Sequence, residues 1–204
     1  MPLLAVVGPT GTGKSDLGIA LAQRLIAEGQ PAEILNIDSM QFYRGMDIGT
    51  AKLKPEERGG IPHHLLDYLD LTDESTAAQY QDIARPLIES LQATGVVPIL
   101  VGGSMLYIAA VLNDFEFPGT DPELRAQLEA DLEEVGPIEL HRRLAKLDPQ
   151  AAARIIPQNG RRTVRAIEIV TMTGKPFAAA LPEVPTEWQP SLQMKICFQE
   201  TFKR

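Results

Sequence analysis

Residues 8–15, GPTGTGKS, fit the spacing G-x-x-x-x-G-K-[ST], whose residue types are suited to holding phosphate. The loop comprises Gly8, Pro9, Thr10, Gly11, Thr12, Gly13, Lys14 and Ser15. Its glycines permit a compact turn whose N–H groups point inward, and a following helix N-terminus would add its dipole. Lys14 supplies a mobile positive charge for a phosphate oxygen, and Ser15 is placed to ligate Mg²⁺ bound to that phosphate. A second chemical feature lies in ILNIDSMQFYRGMDIGTAK, residues 34–52, where an apolar run breaks at Asp38 into polar, glycine-punctuated chain. Spacing alone leaves this carboxylate three roles: metal support, general base, or helix N-cap. A third run, VVPILVGGS, ends in Gly102, Gly103 and Ser104, without the strand-terminal carboxylate that commonly helps to place Mg²⁺ in an NTPase.

These residues need a sheet to bring them together. Apolar, β-branched runs recur at 3–8, 32–38, 96–103 and 191–198, and helical patterns separate the first three. That alternation predicts an α/β fold, a P-loop NTPase-like parallel sheet flanked by helices, with ligands at the carboxyl edge of the strands. Leu17, Ala20, Leu21, Leu25 and Ile26 predict the first helix, closed by Gly29. A further helix is expected over 77–94, with Pro86 kinking or dividing it. From 121 to about 173 the pattern is helical without intervening strands. It predicts an inserted all-helical subdomain at 119–184 between core segments 1–118 and 185–204, with the Pro-rich stretch 181–190 leading back to the sheet.

Composition sets the frame for these elements. A chain of 204 residues with 44% hydrophobic content suits one substantial core with a satellite subdomain. One cysteine, Cys197, excludes an intramolecular disulfide framework and is expected in the core. The N-terminal apolar run is interrupted too early for a signal peptide or membrane span, so a cytoplasmic protein without membrane partners is expected. The net charge of −8 is unevenly spread: residues 140–175 hold eight Lys or Arg against two acids, a balance of +6, leaving −14 elsewhere. Such a basic patch suits a polyanion contact, although helical surfaces are often basic in any case. Arg161, Arg162 and Arg165 cluster at the start of one helix, where they could meet backbone phosphates.

In order and spacing, GPTGTGKS, DSMQFYRGMDIGTAK, IPHHLLDYLD and PILVGGSMLY resemble the tRNA dimethylallyltransferases, also called tRNA isopentenyltransferases. The resemblance runs from residue 2 to about residue 196. It implies transfer of the prenyl group of dimethylallyl diphosphate to N6 of the adenosine beside the anticodon of tRNA, with the loop holding the diphosphate. It also implies Asp38 as the base, Ser104, where threonine is more usual, as a substrate-positioning hydroxyl, and Lys14 with a Ser15-bound Mg²⁺ on the leaving group. Tyrosine, histidine and basic residues elsewhere carry less weight. Asp38, Ser39, Met40 and Gln41, together with Ser104, Arg125 and the segment Gln158, Asn159, Gly160, Arg161 and Arg162, line up with stretches that contact tRNA. Members of the family continue past MKICF through helices that supply another arginine for the diphosphate.

Three other readings remain at this point: an adenylate prenyltransferase, an ATP-dependent small-molecule kinase, and a non-catalytic binding remnant. The Arg-rich helices and the DSMQ form favour tRNA over AMP, and the missing strand-terminal carboxylate counts against the kinase. A monomer is expected. His63 and His64 are adjacent and His141 is the only other histidine, so no zinc site is expected. Pro62 to His64 read as a loop that positions substrate or sheet. Arg44 and Lys52 suit an auxiliary phosphate contact or simple surface charge equally, and Tyr43 and Tyr107 read as packing residues.

Overall fold

The structure, a computed structural model, describes residues 1–114, 117–177 and 186–195. The chain divides into two compact units, Met1–Asp114 with Thr186–Arg204, and Phe115–Pro185. The first contains the parallel strands β1 (Leu3–Val7), β2 (Ala32–Asn36), β3 (His63–His64), β4 (Val97–Gly102) and β5 (Ser191–Lys195), in spatial order β3-β2-β4-β1-β5. Helix α1 (Lys14–Ala27) connects β1 to β2; α2 (Ala77–Ala93) precedes β4, and α3 (Met105–Leu112) follows it.

Strand alternation divides the core into two layers. Leu3, Ala5 and Val7 of β1 pack with α2 and α3 in a cluster containing Tyr80, Ile88, Ile108 and Val111. Val6, with the partly buried Leu4, shares the other cluster with Ala22, Leu17 and Leu21 of α1. All six residues of β4 are buried, as expected of a central parallel strand covered on both faces.

Two local expectations are corrected. Helix α2 runs through Pro86 undivided, because Pro86 and Asp82, whose carbonyl loses its amide partner, both lie on the exposed face. Its opposite stripe, Tyr80, Ala84, Ile88 and Leu91, is buried and keeps the helix on the sheet. His63 and His64 form a two-residue edge strand paired with Ile34 and Leu35, not a loop. The His63 Nδ1 lies 2.8 Å from the Ile61 carbonyl and His64 Nε2 lies 2.5 Å from Glu33 Oε2, so local structure engages both rings. The final strand is described only to Lys195; the rest of the run to 198, Cys197, and residues 181–185 of the Pro-rich stretch lie outside the described residues.

The second unit holds α4 (Pro122–Leu147), α5 (Pro149–Arg154) and α6 (Gly160–Thr173). Helix α4 breaks at Gly136, whose φ of 78° is non-helical and precedes Pro137. Leu128, Leu140, Leu144, Ala151, Val164 and Ile167 form its core. Beside that core lies Glu168, fully buried and bonded to the guanidinium groups of Arg125 and Arg165 and to the Asp121 N–H. Arg165 also donates to the carbonyls of Pro118 and Gly119. Desolvation favours the neutral acid, but the two arginines outweigh it and hold the Glu168 carboxyl below its ordinary value.

A carboxyl held low stabilises the fold above its unfolded pKa, near 4.5, and loses that contribution as pH falls through the lower folded value. Glu168→Ala should therefore destabilise the helical unit by about 3 kcal/mol at neutral pH, as expected for breaking a buried pair whose partners retain some solvent. Thermal unfolding across pH 3–7 checks both points: the variant should lose the part of the acid sensitivity that Glu168 contributes.

Candidate active site

The carboxyl ends of β1, β2 and β4 converge on one cleft. Residues Thr10 to Asp16 of the glycine loop line it with Asn36, Asp38, Gln41, Thr50, Ala51, Leu53, Val101 and Gly102, enclosing about 360 Å³, within the usual range for a small-molecule site. The loop takes its shape from Gly11 and Gly13, with φ near 79° and 77°; Gly13 caps α1. A side chain at either would strain the turn. Thr12 Oγ1 donates to the Pro9 carbonyl at 2.9 Å, and Lys14 Nζ donates to the same carbonyl. Lys14 is buried. Burial pulls its ammonium below the ordinary lysine value, while the charge of Asp38 opposes that shift. Ser15, the next residue, lines the cleft and supplies a hydroxyl at the start of α1.

Asp38 caps a short 3₁₀ turn, Ser39–Gln41, with its Oδ1 accepting from the Met40 N–H at 3.1 Å. The N-cap role is thus observed, and it uses one oxygen. Among the described residues no hydrogen bond engages the other. Asn36, unremarked in the sequence, fixes the Asp38 backbone: its Oδ1 accepts from the Asp38 N–H, while its Nδ2 donates to the carbonyls of Asp38 and Leu65. Its only sequence signal is an amide in a buried apolar strand, a placement that demands partners.

Gly102 and Gly103 explain the strand-terminal glycine pair. A Cβ on Gly102 would stand 2.6 Å from the Ile37 carbonyl carbon and 2.8 Å from the Asp38 nitrogen, while one on Gly103 would stand 2.8 Å from the Gly8 oxygen. Backbone on both sides leaves no room for a methyl group. Ser104 is tied to the same turn: its Oγ accepts from the Ser39 N–H at 2.9 Å and donates to Ser39 Oγ at 3.1 Å. Its hydroxyl therefore fixes the turn that follows Asp38, and neither Ser104 nor Ser39 is among the residues lining the cleft.

Phe42 anchors the turn from below. It is fully buried, stacks on Tyr80 at 4.9 Å and meets Tyr68 and Tyr107 at 5.1 and 5.3 Å. The Tyr80 hydroxyl donates to the Asn36 carbonyl, linking α2 to the strand that carries Asp38. Tyr43 and Tyr107 pack against this cluster. Neither Arg44 nor Lys52 contacts the phosphate loop. Arg44 pairs at the surface with Asp70, whereas the Lys52 side chain, 4% exposed, pairs with Asp47 and Asp67. Burial opposes the Lys52 charge, but the two carboxylates outweigh it and raise its pKa.

In the helical unit, Asn159 caps α6 by accepting from the Arg162 N–H, and Gly160 begins the helix. Gln158 precedes the cap, and Arg161 and Arg162 are exposed. The structure separates these from two other arginines singled out in the sequence. Arg125 and Arg165 are engaged with Glu168, and Arg165 with the carbonyls of Pro118 and Gly119 and the Thr120 hydroxyl as well, so the latter is a structural residue of this unit and not part of an exposed arginine cluster.

A parallel sheet with a glycine-rich loop after its first sequence strand and a carboxylate just past the end of its second defines a P-loop-like α/β protein. The family model described as IPP transferase matches residues 41–201, and the chain belongs to that family. It is 61% identical over 181 residues to a tRNA dimethylallyltransferase of Thermobifida fusca, covering 89% of this chain and 57% of that protein. It is 57% identical over 195 residues to one of Kineococcus radiotolerans, covering 95% and 61%. The chain thus spans about three-fifths of the length of these curated relatives. Among solved structures, a eukaryotic dimethylallyltransferase acting on tRNA superposes with a TM-score of 0.80 at 30% identity, covering 95% of this chain and 48% of that one. The full-length tRNA isopentenylpyrophosphate transferase of Bacillus halodurans matches at 46% identity with a TM-score of 0.55, covering 86% and 57%.

The geometry predicts two separable effects. Lys14→Met should weaken binding of inorganic diphosphate by at least about tenfold, the scale of one lost charged hydrogen bond, measurable by titration calorimetry. Gly102→Ala should cost about 1–3 kcal/mol of stability through overpacking against backbone, measurable by denaturant unfolding.

Proposed function

We propose that the chain carries the catalytic chemistry of a tRNA dimethylallyltransferase: it moves the dimethylallyl group of dimethylallyl diphosphate onto N6 of the adenosine adjacent to the anticodon and releases diphosphate. The observation that carries this reading is that the Asp38 carboxylate lines the same cleft as the phosphate loop. The relatives named for this activity support it.

An exocyclic adenine amine is a weak nucleophile because its lone pair is conjugated with the ring. Asp38 takes a proton from N6 as the N–C bond forms, using the carboxylate oxygen not spent on the Met40 cap. The allylic C–O bond breaks, and the negative charge growing on diphosphate is met by the loop N–H groups and Lys14. Ser15 would hold Mg²⁺, which when bound would neutralise further charge on the leaving group. Asn36 positions the base through its backbone; Ser104 does so through Ser39.

For tRNA, exposed Arg161 and Arg162 at the capped start of α6 contact backbone phosphate, with Gln158, Asn159 and Gly160 forming the same segment. Ser39, Met40 and Gln41 form the turn beside the base and receive the target nucleotide, which must leave its stack to reach Asp38. Arg125 contributes by holding its helix to α6 through Glu168. The enzyme works as a monomer in the cytoplasm; among the described residues no helix is long and apolar enough to cross a membrane.

Incubation with labelled dimethylallyl diphosphate and either unmodified tRNA or AMP tests the reading. Label should enter tRNA at the adenosine beside the anticodon, and label in AMP alone would overturn the assignment. Asp38→Asn, which keeps an N-cap oxygen, should slow transfer by about 10²–10⁴-fold while leaving diphosphate binding intact.

A further inference from the structure

The loop between Tyr43 and Leu53 supplies one wall of the cleft through Thr50, Ala51 and Leu53, yet it contains no strand or helix. Its backbone is costly. Ala51 has a φ of +52°, and on the neighbouring segment Leu65 and Asp67 have φ of +60° and +54°; these are the positive-φ residues other than glycine among those described. Such conformations cost of order 1–3 kcal/mol each and persist only where surrounding contacts over-determine them.

The contacts that do so meet at Lys52. Its ammonium donates to the Tyr43 carbonyl at 2.7 Å and Asp67 Oδ1 at 2.6 Å, and stands 2.9 Å from Asp47 Oδ1. Three acceptors match its three N–H donors. Gln41 adds a bond from Nε2 to the Thr50 carbonyl at 2.9 Å, and its own carbonyl accepts from the Asp67 N–H. The turn carrying Asp38, the loop forming the wall and the segment at Asp67 are thereby closed into one bonded unit. Lys52 has no group left for substrate.

We propose that Lys52 is a positioning residue for prenyl transfer, whose buried ammonium holds Thr50 and Ala51 as a fixed wall of the cleft that contains Asp38 and the phosphate loop. This rests on the reading of that cleft as the transfer site. A wall set by one lysine controls where the allylic carbon and the adenine amine meet, and leaves the phosphate cradle, which is built from other residues, untouched. Misplacement of a reacting group by about 1 Å is enough to cost on the order of 10²-fold in rate.

The test compares Lys52→Met and Asp67→Asn with the unsubstituted chain in three measurements: kcat for transfer to tRNA, the Kd of inorganic diphosphate, and amide hydrogen exchange over residues 46–53. Lys52→Met should lower kcat by about 10–100-fold while diphosphate Kd stays within about threefold, and it should release amide protection in the loop. Asp67→Asn, which keeps an acceptor without the charge, should move the same quantities less, and it decides the matter if Lys52→Met does not fold. Unchanged kcat, or diphosphate affinity falling in step with kcat, overturns the proposal. If the unsubstituted chain transfers nothing, the prenyl-transfer reading fails by itself. Exchange over 46–53 then decides whether Lys52 holds the wall, and unchanged protection sinks that too.

Discussion

The site depends on a contact in which no side chain takes part. At the end of β4 the backbone of Gly102 lies against Ile37 and Asp38, and that of Gly103 lies against Gly8. The central strand therefore acts as a spacer with two bare faces, setting how near the carboxylate stands to the phosphate loop. Any side chain there would hold the two apart. Hydrogen bonds from Asn36 and Ser104 then fix what this proximity permits.

The polar groups around the cleft are used mostly on one another. Asn36 holds Asp38 and Leu65, Ser104 holds Ser39, and the Tyr80 hydroxyl holds the Asn36 carbonyl. Beneath them, the stack of Phe42 on Tyr80 makes the irregular chain after Asp38 part of the core. A turn that combines a buried aromatic anchor with satisfied backbone groups loses little freedom when substrate arrives. Preorganisation of that kind is what makes electrostatic stabilisation by fixed donors effective in general.

Local features were legible in the sequence, and features made by distant chain segments were not. The phosphate loop is readable because its glycines, lysine and serine act within eight consecutive residues. The four longer strands follow from apolar runs, whereas His63–His64 is too short to carry a pattern. Pro86 misleads because its cost depends on whether the carbonyl it frees faces water, which requires knowing the buried face of α2. Lys52 reads equally as an auxiliary phosphate contact or a surface charge until the chain brings Asp47 and Asp67 to it. Asn36 and the Glu168 cluster are equally non-local. Arg161 and Arg162 could be separated from Arg125 and Arg165 only once the acid between the latter two was located.

That last distinction changes what the basic helices offer to a polyanion. Binding to nucleic acid releases condensed counterions in proportion to the phosphates neutralised, with a slope of about −0.7 to −0.9 in log K against log salt for each. Arg165 spends its charge on Glu168, and Arg142 and Arg143 face Glu139 and Asp131, so a formal excess of +6 overstates the displaceable charge. The exposed pair at the start of α6 would account for a slope of only about −1.4 to −1.8. A contact limited to that pair would be weakly sensitive to ionic strength, leaving selectivity to shape more than to long-range attraction.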